Sequence, residues 1–254
     1  MKFFISLLFF ITTLQAYTQN NHRLIEVDHL GNIYTIEGIE LTKYSSKKEV
    51  LSNFSDALLG EISSIDVSNS LRIQLFYKEF NHILYLNQSL SLIADPIDLY
   101  NYSDNETQVC CDASSGGFWI YNNDDNQVFQ VSKQGEIINK SGLLTSYFKN
   151  IHPSKMIEYQ EKIYFLTPSQ GLLILNKFGQ FYQQLPIPGI TDFCINNREL
   201  NYLKNNTWYK YEPLLTSDPI IFSIENSGVI KSRILNDKIY IFSEDQISIR
   251  SLKD

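Results

Sequence analysis

The sequence predicts an all-β fold, a β-propeller of six four-stranded blades. Three observations predict it. A phrase of strand, short polar turn and strand recurs six times. Aromatics, 16 Tyr and 16 Phe in 254 residues, alternate within these phrases, as suits a pleated, half-buried surface. No segment carries sustained helical periodicity.

The copies begin at Ile33 (IYTIEGIELTKYS), Ile83 (ILYLNQSLSLI), Phe118 (FWIYNNDDNQVFQVS), Ile163 (IYFLTPSQGLLILNKFG), Leu200 (LNYLKNNTWYKYEP) and Ile239 (IYIFSEDQISIRSL). Successive starts lie roughly 35 to 50 residues apart, near the forty of a four-stranded blade. An apolar run ending in a turn precedes most copies, as in LIEVDHLGN, VCCDASSGG, MIEYQEK, DFCINNR and IKSRILNDK. Further strand-like pieces follow, such as GQFYQQLPI from Gly179. Each unit therefore reads as an inner pair and a more polar outer pair of strands. Radial closure protects the edges of so many short strands.

The interval from Ile33 to Ile83 is the longest. Its segment FSDALLGEISSIDVSNSLRIQLFYKEFN is expected to supply the first two strands of the second blade and a loop. EVLSNFSDALLGEI, from Glu49, is the best candidate for a short helical turn or loop. A seventh, degenerate blade in this interval is the alternative count. A pair of β-sandwiches is the competing architecture, but it gives no reason for a regular period.

MKFFISLLFFITTLQAYTQN opens the chain. Lys2 followed by an apolar run from Phe3 to Leu14 has the form of a secretory signal. The run is short of the roughly twenty residues a membrane span needs. The expected division is a signal peptide over 1–18 and a single propeller domain over 19–254. No cysteine near the cleavage region offers a lipid anchor. The net charge of -7 and the lack of a basic stripe argue against nucleic acid, whose phosphates demand cations. Direct membrane insertion is likewise not expected. Three cysteines, Cys110, Cys111 and Cys194, are too few for a disulfide framework. They read as small buried hydrophobes, although one of the adjacent pair could bridge to Cys194.

NNDDN, from Asn122, raises the question of chemistry. An EF-hand loop needs Gly at its sixth position and Glu at its twelfth. Here those positions hold Gln127 and Lys133. Side chains of the adjacent Asp124 and Asp125 diverge, so the stretch reads as a hairpin turn between the middle strands of one blade. The four histidines lie in different units without ligand spacing, so no metal is expected. No nucleophile motif or phosphate loop is present, and no cofactor is expected. SSGG at Ser114 precedes a strand, not the helix N-terminus that holds phosphate. Asp28, Asp66, Asp112 and Asp192 each lie near the end of a first strand. A ring of acids at the channel mouth is the candidate for substrate or metal binding, and turn capping is the structural alternative.

DHLGNIYTI, SSIDVSNSLRIQLFYKEFNHILYLN, GGFWIYNNDDNQVFQVS and GLLILNKFGQFYQQLPI together resemble an exported β-propeller family of the gram-negative Bacteroidota. The resemblance spans essentially the whole mature chain. Members are similar to the small periplasmic subunit that plugs the outer-membrane translocon of the type 9 secretion system. The resemblance transfers no catalytic residue. It implies a non-enzymatic protein-interaction module of the periplasm or outer membrane, with a large outer-membrane translocon as partner. No sorting domain is recognisable after ISIRSLKD, which favours the periplasm. Trp119, Tyr147, Phe148 and Trp208 are the candidate contact residues, since aromatics dominate interface energetics. Their alternative fate is blade core. The rival expectation is a propeller hydrolase or sugar-binding protein that uses the channel-mouth acids.

Overall fold

Stretches such as IQLFY and FWIYN are buried along their whole length. A strand of one solvated sheet would alternate. These do not, because each lies in a sheet packed between two others. The computed structural model describes residues 23–215, 217–225, 229–243 and 246–252. The expected signal peptide lies outside the described residues.

Six antiparallel sheets follow one another along the chain, each with its strands in sequence order. Blade 1 holds β1 (Arg23–Val27), β2 (Ile33–Glu37), β3 (Glu40–Tyr44) and β4 (Val50–Ser55). Blade 2 holds β5 (Ser64–Asp66), β6 (Ile73–Tyr77), β7 (His82–Leu86) and β8 (Ile97–Asp98). Blade 3 holds β9 (Cys110–Asp112), β10 (Phe118–Asn122), β11 (Gln127–Val131) and β12 (Ile137–Lys140). Blade 4 holds β13 (Lys155–Tyr159), β14 (Lys162–Thr167), β15 (Gly171–Asn176) and β16 (Phe181–Leu185). Blade 5 holds β17 (Ile190–Asn196), β18 (Glu199–Lys204), β19 (Thr207–Lys210) and β20 (Ile220–Ser223). Blade 6 holds β21 (Val229–Leu235), β22 (Lys238–Ser243) and β23 (Ile247–Ser251), three strands among the described residues.

Six apolar clusters fill the six junctions between blades. On β10, Trp119 and Tyr121 pack toward blade 4, while Phe118 and Ile120 pack toward blade 2. On β22, Ile239 and Ile241 face blade 5, while Tyr240 and Phe242 face blade 1. The last junction closes the ring: Ile25 and Ile33 of the first blade meet Tyr240 and Phe242 of the last. Lys48 Nζ also donates to the Ile247 carbonyl at 3.4 Å across that seam.

Two expectations need correction in detail. The hairpin beginning at Ile83 is not equivalent to the other five. It lies in the third strand of its blade, and the second strand begins at Ile73. Counted from Ile73, blade 2 follows blade 1 at the regular forty-residue period, and no seventh blade is hidden there. The stretch from Glu49, expected as a helical turn or loop, is a loop only in its second half, residues 56–62. Val50–Ser55 is the outer strand β4, paired antiparallel with β3. Its apolar residues misled because an outer strand buries little, so its strand alternation is weak. The only helical pieces among the described residues are two 3-10 turns, Leu99–Asn101 and Leu144–Ser146.

Tight turns follow the expected chemistry. Two-residue hairpins of type I′ match strand twist and require positive φ at both positions. Asn197 and Arg198 (50° and 72°) and Asn205 and Asn206 (50° and 57°) meet that demand on either side of β18. NNDDN joins β10 to β11, with Asn126 at φ 52°.

Candidate functional site: the central channel

The first strand of every blade lines a central cavity of about 820 Å³. Alternate residues of a strand share a face. On β21 that rule puts Lys231 and Arg233 together toward the channel, and both line it. Asp192 and Cys194 of β17, Lys155 of β13 and Glu26 of β1 line it as well.

Glu26, Lys155, Asp192 and Arg233 form one ionic network across four blades. Arg233 Nη2 donates to Glu26 Oε1 at 2.6 Å, and Arg233 Nη1 donates to Asp192 Oδ2. Lys155 Nζ donates to Asp192 Oδ1 at 2.9 Å and to the Phe193 carbonyl at 3.0 Å. It also lies 3.5 Å from Glu26. Burial pushes the Glu26 and Asp192 carboxyls upward, but Arg233 and Lys155 outweigh burial and hold both below the usual carboxylate range. Burial lowers Arg233, and its two carboxylates more than reverse that. Lys231 moves the other way: burial lowers its ammonium pKa, and Asp192 only partly offsets burial and the repulsion of Arg233 and Lys155.

A second polar group spans blades 2 and 3. Arg72 pairs with Asp112 and also donates to the Ala113 and Gly117 carbonyls at 3.1 Å. Asp66 Oδ2 accepts the Asp112 backbone N–H at 3.0 Å. Burial pushes Asp112 up to about 7, neighbouring Asp66 adds to that, and Arg72 only partly opposes it. Burial raises Asp66 too. Adjoining Cys110 and Cys111 are buried free thiols whose pKa values burial drives up, so they resist becoming thiolates. Cys194 is free and half-buried.

Of the four acids singled out from the sequence, Asp28, Asp66 and Asp192 line the channel and Asp112 does not, and the four do not form one ring. Asp28 follows β1 and caps its turn, accepting from the Leu30 and Asn32 N–H groups at 2.9 Å and from Tyr34 at 3.0 Å. Asp66 pairs with the second residue of β6 and caps a turn through the Ser68 N–H at 2.9 Å. Asp112 pairs with the first residue of β10, whereas Asp192 lies near the start of β17, not its end as expected, and pairs with Leu203, the next-to-last residue of β18. They stand at different heights along their blades, each with its own partners. Asp66 and Asp112 adjoin; Asp192 belongs to the network with Arg233; Asp28 belongs to its turn. Sequence reasoning weighed acids alone and missed Glu26, Lys155, Lys231 and Arg233. The available signal was IKSRIL, two cations spaced i, i+2 in a strand whose other residues are largely apolar.

Of the aromatic candidates, Trp119, Phe148 and Trp208 have no solvent exposure and belong to blade junctions. Trp119 Nε1 donates to Glu158 Oε2 at 2.7 Å, and Trp208 Nε1 donates to Ser232 Oγ at 2.9 Å, each reaching the next blade. Tyr147 is half-buried and stacks on Phe181, with ring centroids 4.5 Å apart. Asp124, in NNDDN, accepts from Ser103 at 3.2 Å and from the Asp104 N–H at 3.0 Å, pinning the preceding loop. Among the described residues no three His, Cys, Asp or Glu side chains are grouped to hold a metal. No helix among them is long and apolar enough to cross a membrane.

The sequence matches no known protein family and no curated protein. Solved structures do resemble the fold. A streptogramin B lyase aligns with TM-score 0.60 at 12% identity, over 91% of this chain and 83% of that one. Virginiamycin B lyase from Staphylococcus aureus aligns with TM-score 0.58 at 14% identity, over 93% and 86%. PorZ, an essential bacterial surface component of the type-IX secretion system of Porphyromonas gingivalis, aligns with TM-score 0.50 at 12% identity. The match covers 91% of this chain and 38% of PorZ. At such identities these likenesses show the propeller fold.

Proposed function

We propose that the chain is an exported, non-catalytic β-propeller that binds protein. Its place is the periplasm or outer membrane, as an accessory or plug subunit of a type 9 secretion translocon. One observation carries the reading: the outer strands of blades 3 and 4 bear several large apolar residues that are exposed. Ile137 and Ile138 of β12 and Phe181 and Tyr182 of β16 are all exposed. Tyr147 stacks on Phe181. A Cβ on Gly179 would lie 3.0 Å from the Ser141 backbone nitrogen, so the turn before β16 presses against the end of β12. Exposed Leu143 and Phe178 extend the surface. Exposed apolar residues gathered in this way fit an interaction site, and aromatics supply most of the binding energy in such sites.

Two further points support the reading. The four candidate acids are committed to turns or ion pairs and stand at different heights, which weakens the hydrolase alternative. The fold likeness to PorZ gives the secretion setting a precedent. The test is affinity capture of the C-terminally tagged protein from gently solubilised cell envelopes, read by mass spectrometry. Stoichiometric recovery of a large outer-membrane translocon is expected. Recovery of the propeller alone, even after cross-linking, would contradict the assembly.

A further inference from the structure

We propose that the open edge of β23 takes up an extended segment of a partner polypeptide, which adds antiparallel as the fourth strand of blade 6. Blades 1 to 5 each carry a fourth strand, β4, β8, β12, β16 or β20, paired antiparallel with the third. Among the described residues blade 6 stops at β23, which pairs with β22 alone.

The register shows which main-chain groups the edge offers. Bonded and non-bonded pairs alternate along an antiparallel ladder. The Leu252 N–H donates to the Asp237 carbonyl at 2.8 Å, and the Ser243 N–H donates to the Gln246 carbonyl at 3.1 Å, at the two ends of the β22–β23 pair. That phase turns the main chain of Ser248 and Arg250 toward β22 and turns the N–H and C=O groups of Ile247 and Ile249 outward. Lys48 Nζ reaches the Ile247 carbonyl at 3.4 Å, a side chain standing where the other blades have main chain. Outward N–H and C=O groups at strand spacing are complemented by another strand, as in β-strand addition.

The side chains are a second, independent observation. In four of the five complete blades the outer strand puts an apolar residue into the junction with the next blade: Phe54 of β4, Ile97 of β8, Leu185 of β16 and Phe222 of β20. The junction of blade 6 with blade 1 has no such residue among the described ones, and Tyr44, Ile247 and Ile249 are left half-buried there. On the other face, Ser248 and Arg250 border a groove of about 400 Å³ against the end of blade 5, with Phe222, Ile224 and Val229 in its wall. The edge therefore fits a segment of four to six residues, the length of β4, β12, β16 and β20, with an apolar side chain turned toward blade 1.

The length of the N-terminus argues for a partner. On the reading of residues 1–18 as a signal peptide, the four residues before β1 span at most about 14 Å. β1 is the innermost strand of blade 1, and the fourth position of a blade lies three strand spacings, about 14 Å, farther out. No length is left for pairing, so the segment is assigned to another molecule.

The test uses the mature protein and a synthetic peptide copying β4 with its flanks, KEVLSNFSDA. Forms of the peptide N-methylated at alternate positions, in each of the two phases, separate strand pairing from apolar adhesion. Binding is read by calorimetry and by amide hydrogen exchange followed by NMR. In the protein alone the Ile249 amide is expected to exchange at least about a hundredfold faster than the Arg250 amide. Saturating peptide is expected to slow Ile249 at least about tenfold. One methylated phase is expected to abolish binding and the other to retain it. No binding, equal loss in both phases, or binding that leaves Ile249 exchange unchanged would overturn the proposal. So would an Ile249 amide already protected in the protein alone, which would mean that a second copy or the chain's own N-terminal residues cover the edge. None of these outcomes bears on whether the rim of blades 3 and 4 captures a translocon.

Discussion

Asp192 and Arg233 carry the largest single-residue consequences. Both side chains are almost wholly buried, and breaking a buried pair by neutralising one partner leaves an uncompensated charge, which costs about 3–5 kcal/mol. Asp192→Asn is therefore expected to lower unfolding free energy by that amount, measured by urea denaturation. Asp112 offers a pH signature. Its folded carboxyl is raised to about 7 by burial and by Asp66, above its unfolded value. The folded state then holds a proton that the unfolded state gives up between about pH 4 and 7. The stability from this group is complete at low pH and is lost as pH rises toward 7. Asp66→Asn removes the neighbouring charge, so its stability is expected to fall less steeply over that window than wild type. Identical slopes would contradict the coupling. None of this was legible in the sequence beyond the acids themselves. An Asp that caps a turn and an Asp that meets an arginine from another blade look alike until the blades are assembled.

At the scale of elements, close backbone contact sets the limits. A Cβ at Gly117, just before β10, would fall 1.7 Å from the Val131 carbonyl oxygen. Gly117→Ala must move the strand, and an expected loss of about 1–3 kcal/mol is read from the denaturation midpoint. The strands themselves were largely legible, because β2, β10, β14, β18 and β22 bury residues on both faces and announce themselves as dense apolar runs. Frame was harder. In blade 2 the third strand, HILYL, imitates the second strands elsewhere, since both are central strands under the same packing demand. Outer strand β4 was unreadable for the opposite reason: with most of its residues exposed or half-buried, packing left no pattern on it.

Across the whole molecule, period and closure account for the architecture, and both were visible in the repeat. Which surface works was not. The sequence offers Trp119, Phe148 and Trp208 as contacts because they are large, yet large aromatics are what a blade junction needs. The exposed apolar residues of the rim lie on outer strands with little pattern, and only assembly brings the turn before β16 against the end of β12. The most direct measurement is envelope capture with wild type and an Ile138→Ser, Phe181→Ser, Tyr182→Ser variant side by side. These three side chains are exposed, so the variant is expected to keep the wild-type thermal midpoint. Loss of the captured translocon by a folded variant is the predicted result. A folded variant that captures the translocon as fully as wild type, or a wild type that captures none, would contradict a protein-binding propeller that docks through this rim.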